Sequence, residues 1–196
     1  TGVDTRMSQI ENWNGTYTGY LEKKLIDGTV SATEHNFQTN PMPYIRLAEM
    51  YLVAAEACIE LNKLDEASTY LDALRGRIGR PDTKATLAVR GQTFNQNDLR
   101  EFLRRERRVE LAYEESRYYD VRRWMIAPET SSKKLTGITI VGRLKPGKTA
   151  TLPYVHDEDV YNYTWTVLNL NYIEKRKWDN KMYFAPIKLE ETLRNP

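Results

Sequence analysis

The chain has 196 residues, one cysteine and a formal net charge of +2. This length suffices for a domain with a hydrophobic core, and the balanced charge argues against a general polyanion-binding surface. The lone cysteine, Cys58, excludes an internal disulfide, and no apolar run approaches membrane-spanning length.

The first 40 residues show little periodicity and predict an irregular segment, with a turn at Asn14-Gly15. A strong helical pattern follows over about 43–62, beginning at Pro43, and it is apolar around most of its circumference. Such a helix is expected to be covered on more than one side. Its polar residues form one narrow strip: Arg46, Glu49, Glu56 and Glu60.

A second helix is predicted to begin at an N-cap, Asp65, and to reach about Gly76. The two helices and their short turn are typical of one tetratricopeptide-type pair. Because a single pair is not stable alone, we expect it to pack on further helices. Residues 79–97 are predicted to form a linker.

A third helix is predicted from about Asp98 to Glu114, and a fourth over about 117–126, ended by Pro128. Between Asp98 and Trp124, eight Arg and seven acidic residues interleave at helical i,i+3 and i,i+4 spacings. Such a stretch is largely self-neutralised, which argues against a nucleic-acid-binding arm.

Two carboxylates, Glu106 and Glu110, fall inside the apolar stripe of the third helix. Buried charges need partners, so a Glu–Arg network, a catalytic carboxylate pair and half of a metal site all remain possible interpretations. A di-metal site is disfavoured because the only histidines, His35 and His156, have no second ligand at a suitable spacing. The stripe itself consists of Leu99, Phe102, Leu103, Val109 and Tyr113.

Residues 130–180 alternate and turn in a way that predicts a β-hairpin or loop, and the chain closes with a short acidic turn or helix. Aromatic, turn-rich stretches are typical of sugar-binding surfaces, although buried packing is the alternative for each of them. The candidate ligand-binding residues are Trp13, Asn14, Tyr17, Tyr161, Tyr163 and Trp165.

Three segments resemble, in order, the C-terminal half of the SusD/RagB family. They are RLAEMYLVAAEA at 46–57, ERRVELAYEESRYYDVRRW at 106–124 and PIKLEETLRNP at 186–196. Residues 4–6 and the lysine pair at 23–24 resemble upstream elements of the family. The chain departs from the family pattern at Glu115, where Gly is common, and at Lys188, which replaces a second Pro.

The resemblance and the periodicity together predict a mainly α fold. It consists of a tetratricopeptide-like helix pair packed with further helices, plus an irregular loop or short β region near 130–180. We expect one C-terminal SusD/RagB-like domain over 1–196. Its expected parts are an irregular N-terminal segment (1–40), a helical core (41–128), a loop/β insertion (129–180) and a C-terminal segment (181–196).

The resemblance also implies a function. We expect non-catalytic binding of a glycan, peptide or other nutrient, without a cofactor or metal, and delivery to a TonB-dependent, SusC-like transporter. The missing initiating Met predicts a fragment of a longer protein. The resemblance implies that this protein is lipid-anchored at the outer-membrane surface through an N-terminal part. The alternative is a tetratricopeptide-like protein–protein scaffold without sugar binding. The implied structural ion-pair network comprises Glu106, Glu110, Arg107, Arg117 and Arg122.

Overall fold

A computed structural model describes residues 16–30, 43–150, 156–170, 173–184 and 187–194. The chain divides into two compact units, one of Lys24–Arg123 and one of Thr1–Lys23 with Trp124–Pro196. Across the described residues the architecture is mainly helical with one two-stranded sheet, which confirms the predicted fold class.

The first unit, here called the helical unit, contains five helices in its described part. Helix α1 contacts both α2 and α4, so the predicted helix pair does pack on a further helix. The core between them is built from aliphatic side chains and one phenylalanine, because the apolar faces of the helices meet there. The helices are α1 (Leu47–Glu60), α2 (Leu64–Gly76), α3 (Thr83–Val89), α4 (Gln96–Glu110) and α5 (Ser116–Arg123). The fully buried core residues include Leu52, Ile59, Leu71, Leu87, Leu99, Phe102 and Leu103.

Helix α1 begins four residues later than Pro43, because Arg46 still has an extended backbone with φ −141° and ψ 160°. Two helices, α2 and α4, cover it, but one side remains open within the described residues. Leu47, Met50 and Val53 lie exposed along the side of α1 opposite the core. This apolar stripe on α1 is therefore an uncovered surface of the helical unit.

The prediction of a linker over 79–97 is wrong, because α3 lies within it. Asp82 is the N-cap of α3 and accepts a hydrogen bond from the backbone N–H of Ala85 at 2.7 Å. The carboxylate of Asp72 on α2 accepts hydrogen bonds from both the backbone and the hydroxyl of Thr83. Side-chain contacts with α2 thus stabilise a helix too short to show clear periodicity.

Two predicted helix ends also differ from the structure. The N-cap of α2 is Lys63, and Asp65 lies in the first turn instead. The fourth predicted helix ends at Arg123, and Pro128 does not end it. Pro128 lies in the first turn of a separate helix, α6, where a missing N–H has no cost.

The second unit, here called the β unit, contains a two-stranded antiparallel ribbon in its described part. The strands pair so that Tyr163 lies opposite Gly142 and Trp165 lies opposite Ile140. On the other edge of β1, the backbone N–H of Ile138 donates to the carbonyl of Thr18 at 2.8 Å. The elements are α6 (Ala127–Ser131), β1 (Thr136–Leu144), β2 (Tyr161–Asn169), a 3-10 turn (Asn180–Tyr183) and α7 (Leu189–Arg194).

Candidate functional site

The predicted aromatic cluster of the β unit lies on one face of the ribbon. Residues at alternate positions of a strand share a face, and directly paired residues of an antiparallel sheet share it too. Tyr161, Tyr163 and Trp165 therefore face the same way as their partners in β1, Leu144 and Ile140 among them. We call this surface the aromatic face of the ribbon.

Two of these aromatics are held by the protein itself. Tyr161 is buried, and the ring of Tyr163 packs over Gly142, where an added Cβ would come within 3.0 Å of it. The ring of His156 stacks on Tyr163 with 4.5 Å between centroids. The Tyr163 hydroxyl oxygen accepts a hydrogen bond from the backbone N–H of Asp157 at 3.1 Å. These contacts fix the ribbon end at which β2 begins.

Trp165 is the accessible aromatic of this face. Its side chain is 59% exposed, and Ile140 beside it is 46% exposed. An exposed indole next to an aliphatic side chain presents a flat apolar surface of the kind that packs against the C–H face of a sugar ring. Tyr161 and Tyr163, by contrast, have little free surface for such a contact.

The second predicted cluster lies partly outside the described residues, because Trp13 and Asn14 fall there. Tyr17 is exposed, and its neighbour Thr18 adjoins the β1 edge of the ribbon. A Cβ added at Gly19 would overlap the carbonyl of Ile138, so this segment lies unusually close to β1. Tyr17 and Trp165 therefore belong to segments on opposite edges of the same ribbon.

Ion pairs in the helical unit connect α4 and the following loop to residues far away in sequence. Glu110 accepts a hydrogen bond from Arg46 at 2.7 Å, and Glu114 accepts one from the same guanidinium at 2.7 Å. The ammonium of Lys24 contacts Glu114 and donates to the carbonyls of Glu110 and Ala112. Burial alone would raise the pKa of Glu114, but the hydrogen bonds from Arg46 and Lys24 outweigh it and hold the pKa below its ordinary value.

A second set of ion pairs is more deeply buried. Arg107 donates from Nε to Asp120 at 2.7 Å and reaches Glu49 at 3.3 Å. Arg75 donates to Glu106 at 2.7 Å, and its other donors reach the carbonyl of Pro81 and the hydroxyl of Thr86. Because such charges are costly to bury alone, these contacts fix the packing of α1, α2, α4 and α5.

Two arginines expected in the network have other surroundings. Arg122 lies 3.5 Å from the centre of the Tyr118 ring and donates to the Tyr118 carbonyl at 3.0 Å. Within the described part of the chain, Arg117 forms no hydrogen bond and no ion pair. The predicted apolar stripe is also too long, because Val109 and Tyr113 are exposed and α4 ends at Glu110.

Sequence reasoning missed most partners of this network. Arg75 and Asp120 were not among the candidates, although each is almost fully buried. Lys24 belongs to the lysine pair that resembles a family element, so the sequence did single out this residue, although not its partner Glu114. The requirement for buried charges to be paired predicted that partners exist, but it could not name them.

The described residues lack the features of several other functional classes. They contain no group of three or more His, Cys, Asp and Glu arranged to hold a metal ion. The acidic run Asp157–Asp159 forms a turn, in which Asp157 accepts from the backbone N–H of Asp159. No helix in the described part is long and apolar enough to cross a membrane.

Comparisons with known proteins agree with this architecture. A model of the SusD family matches residues 3–196. SusD-like protein P2 of Formosa agariphila is 35% identical over 92 residues, covering 46% of this chain and 18% of that protein. The crystal structure of a SusD-like protein from Bacteroides fragilis aligns with a TM-score of 0.56 and 30% identity, covering 79% of this chain and 24% of that one. The chain thus spans about a fifth to a quarter of the length of these relatives.

Proposed function

The chain belongs to the SusD family, and on that premise we propose that it takes part in non-catalytic binding of a glycan or other nutrient at the outer-membrane surface. The nutrient then passes to a TonB-dependent, SusC-like transporter, and a lipid on an N-terminal part of the longer protein anchors it. The family match over residues 3–196 is the observation that carries this proposal.

The aromatic face of the ribbon is suited to binding a ligand without catalysing a reaction. Trp165 offers an exposed ring, while Tyr163 and the stacked His156 hold the neighbouring end of the strand in place. A rigid aromatic surface binds a sugar with little loss of conformational entropy. Such a surface needs no nucleophile and no perturbed acid, which fits a protein that captures its ligand unchanged.

The proposal is tested by screening the intact protein on a glycan array, followed by titration of each retained glycan. We expect Trp165→Ala to weaken binding by roughly tenfold, since truncation of a central aromatic anchor typically has this effect. Phe184→Ala is the matched control, because Phe184 is also strongly exposed in the β unit but lies outside the ribbon. Unchanged binding by Trp165→Ala would exclude the ribbon as the glycan surface.

A protein-binding scaffold is the second candidate, favoured by the apolar stripe on α1. Leu47, Met50 and Val53 are exposed there, and an apolar helix face of this kind suits docking of another helix. Met50→Lys would abolish binding of a protein partner such as the transporter and leave glycan binding intact. Loss of transport with Met50→Lys, but not with Trp165→Ala, would favour the scaffold.

A further inference from the structure

The helical unit contains an open hollow of about 490 Å³ formed by the loop after α4 and the start of α5. Leu111 and Ala112 give it apolar surface, and Tyr113, Tyr118 and Tyr119 line it with three rings that are each more than half exposed. The volume lies within the range of about 300–1,000 Å³ that is usual for small-molecule sites. The hollow is therefore large enough for one or two sugar rings.

Arg117 lines the same hollow and brings a positive charge into it. Its guanidinium is partly buried and forms no hydrogen bond or ion pair with any described residue. Burial and the nearby charges of Arg108 and Arg104 lower its pKa, and Asp120 offsets this only in part. The carboxylate of Asp120 is already occupied by Arg107 and Arg123. The hollow thus contains a guanidinium whose N–H donors bind no described carboxylate, and the Glu115 side chain that also lines the hollow forms no ion pair with it.

The loop beside Arg117 is held in an unusual backbone conformation. Tyr113 and Glu115 have φ angles of 64° and 57°, in the left-handed region that is unfavourable for most residues other than glycine. The residue between them, Glu114, is fixed by Arg46 and Lys24. This anchoring stabilises the strained backbone, so the loop that lines the hollow has its conformation before any ligand binds.

We infer that the hollow is a subsite for a carboxylate-bearing sugar, such as a uronic-acid unit of an oligosaccharide. The planar fork of Arg117 matches a carboxylate through two parallel hydrogen bonds. The ring of Tyr119, and the face of the Tyr118 ring that Arg122 does not cover, pack against sugar C–H groups, and the two phenol hydroxyls form hydrogen bonds with sugar hydroxyls. Glu115, which is exposed and also lines the hollow, is available to accept a hydrogen bond from a sugar hydroxyl. This inference rests on the proposed function and specifies the class of glycan.

The test compares acidic sugars with their neutral counterparts on the intact protein. Oligomers of galacturonate, glucuronate and mannuronate are titrated beside oligomers of galactose, glucose and mannose. We expect at least one acidic oligomer to bind about tenfold tighter than its neutral counterpart, and Arg117→Met to remove that difference. The matched control is Arg80→Met, which removes the same charge from an exposed residue outside the hollow and should preserve the difference.

Thermal unfolding separates a ligand site from a structural role. Because Arg117 has no described partner, Arg117→Met should leave the melting temperature unchanged or slightly raised. A fall of several degrees would show that the guanidinium pairs with a carboxylate of the protein, and it would overturn the inference. Equal binding of acidic and neutral oligomers, or unchanged acidic binding by Arg117→Met, would also overturn it.

The outcomes distinguish this inference from the proposed function. Binding of neutral glycans that depends on Trp165, without any preference for acidic ones, would leave the proposed function standing and remove only the acidic subsite. A protein that retains no oligosaccharide, acidic or neutral, would contradict the acidic subsite and restrict the proposed function to a nutrient other than a glycan. An acidic preference lost with Arg117→Met but kept with Trp165→Ala would support the hollow as a subsite separate from the ribbon.

Discussion

The buried pair between Arg107 and Asp120 allows a stability prediction with a stated magnitude. Arg107 Nε lies 2.7 Å from Asp120 Oδ2, and the two side chains are 6% and 3% exposed. Asp120→Asn keeps the size of the side chain but removes its charge, which leaves the 3.3 Å contact with Glu49 as the remaining described ion pair of Arg107. Because a buried charge without its partner is poorly solvated, we expect a loss of about 3–5 kcal/mol in the free energy of unfolding.

A pair of equal length at the surface supplies the control. Arg100 Nε lies 2.7 Å from Glu60 Oε1, but these side chains are 26% and 51% exposed. Water already solvates both groups, so Glu60→Gln should cost only about 0.2–1 kcal/mol. The contrast between the two variants therefore measures the effect of burial at a constant distance.

Urea and thermal denaturation provide the assay. In a chain of this size each kcal/mol lowers the melting temperature by about 2–4 °C, so Asp120→Asn should lower it by roughly 6–20 °C. The double variant Arg107→Met/Asp120→Leu removes both charges and should recover most of the loss, since apolar replacement of a buried pair is often neutral. Equal losses for Asp120→Asn and Glu60→Gln, or no recovery in the double variant, would refute the reasoning.

Two further predictions concern the ribbon and the stability of the protein at acidic pH. Gly137→Ala places a Cβ 2.6 Å from the carbonyl oxygen of Thr18, so it should lower the melting temperature by several degrees and separate that segment from β1, as measured by hydrogen exchange at Ile138. Since the hydrogen bonds from its partners hold the pKa of Glu114 below its ordinary value, the stability it contributes is full above about pH 4.3 and is lost as pH falls through the lowered pKa. Glu114→Gln should therefore flatten the decline of stability in acid, measured by urea denaturation from pH 6 to pH 3, and an unchanged decline would contradict the pairing.

Sequence periodicity predicted the long helices because their apolar faces repeat over several turns. It located α1, α2 and α4 within a few residues, and the alternation after residue 130 predicted the β region. Helix α3 was missed because seven residues give little periodicity and because Asp72, which stabilises its start, lies eleven positions earlier. Side-chain contacts between α2 and α3 thus stabilise a helix that the hydrophobic pattern alone does not predict.

The partners of the buried charges were beyond sequence reasoning for a different reason. Glu110 and Arg46 are 64 positions apart, and Lys24 and Glu114 are 90 apart. A carboxylate buried within an apolar stripe requires a cationic partner, but the sequence contains several arginines that could equally well be that partner. Only the packing of α1 against α4, together with the position of Lys24, selects among them.

The hollow beside Arg117 forms because α4 ends at Glu110, four residues before the end predicted from the sequence. A continuous helix to Glu114 would place Tyr113 on the core side, whereas α4 ends at Glu110 and left-handed backbone at Tyr113 directs the chain outward. The same arginine-rich segment therefore contains two kinds of residue. Arg107 is matched by acids and should destabilise the fold when replaced, while Arg117 is unmatched among the described residues and should not. That difference in response to replacement separates structural charge from charge available to a ligand.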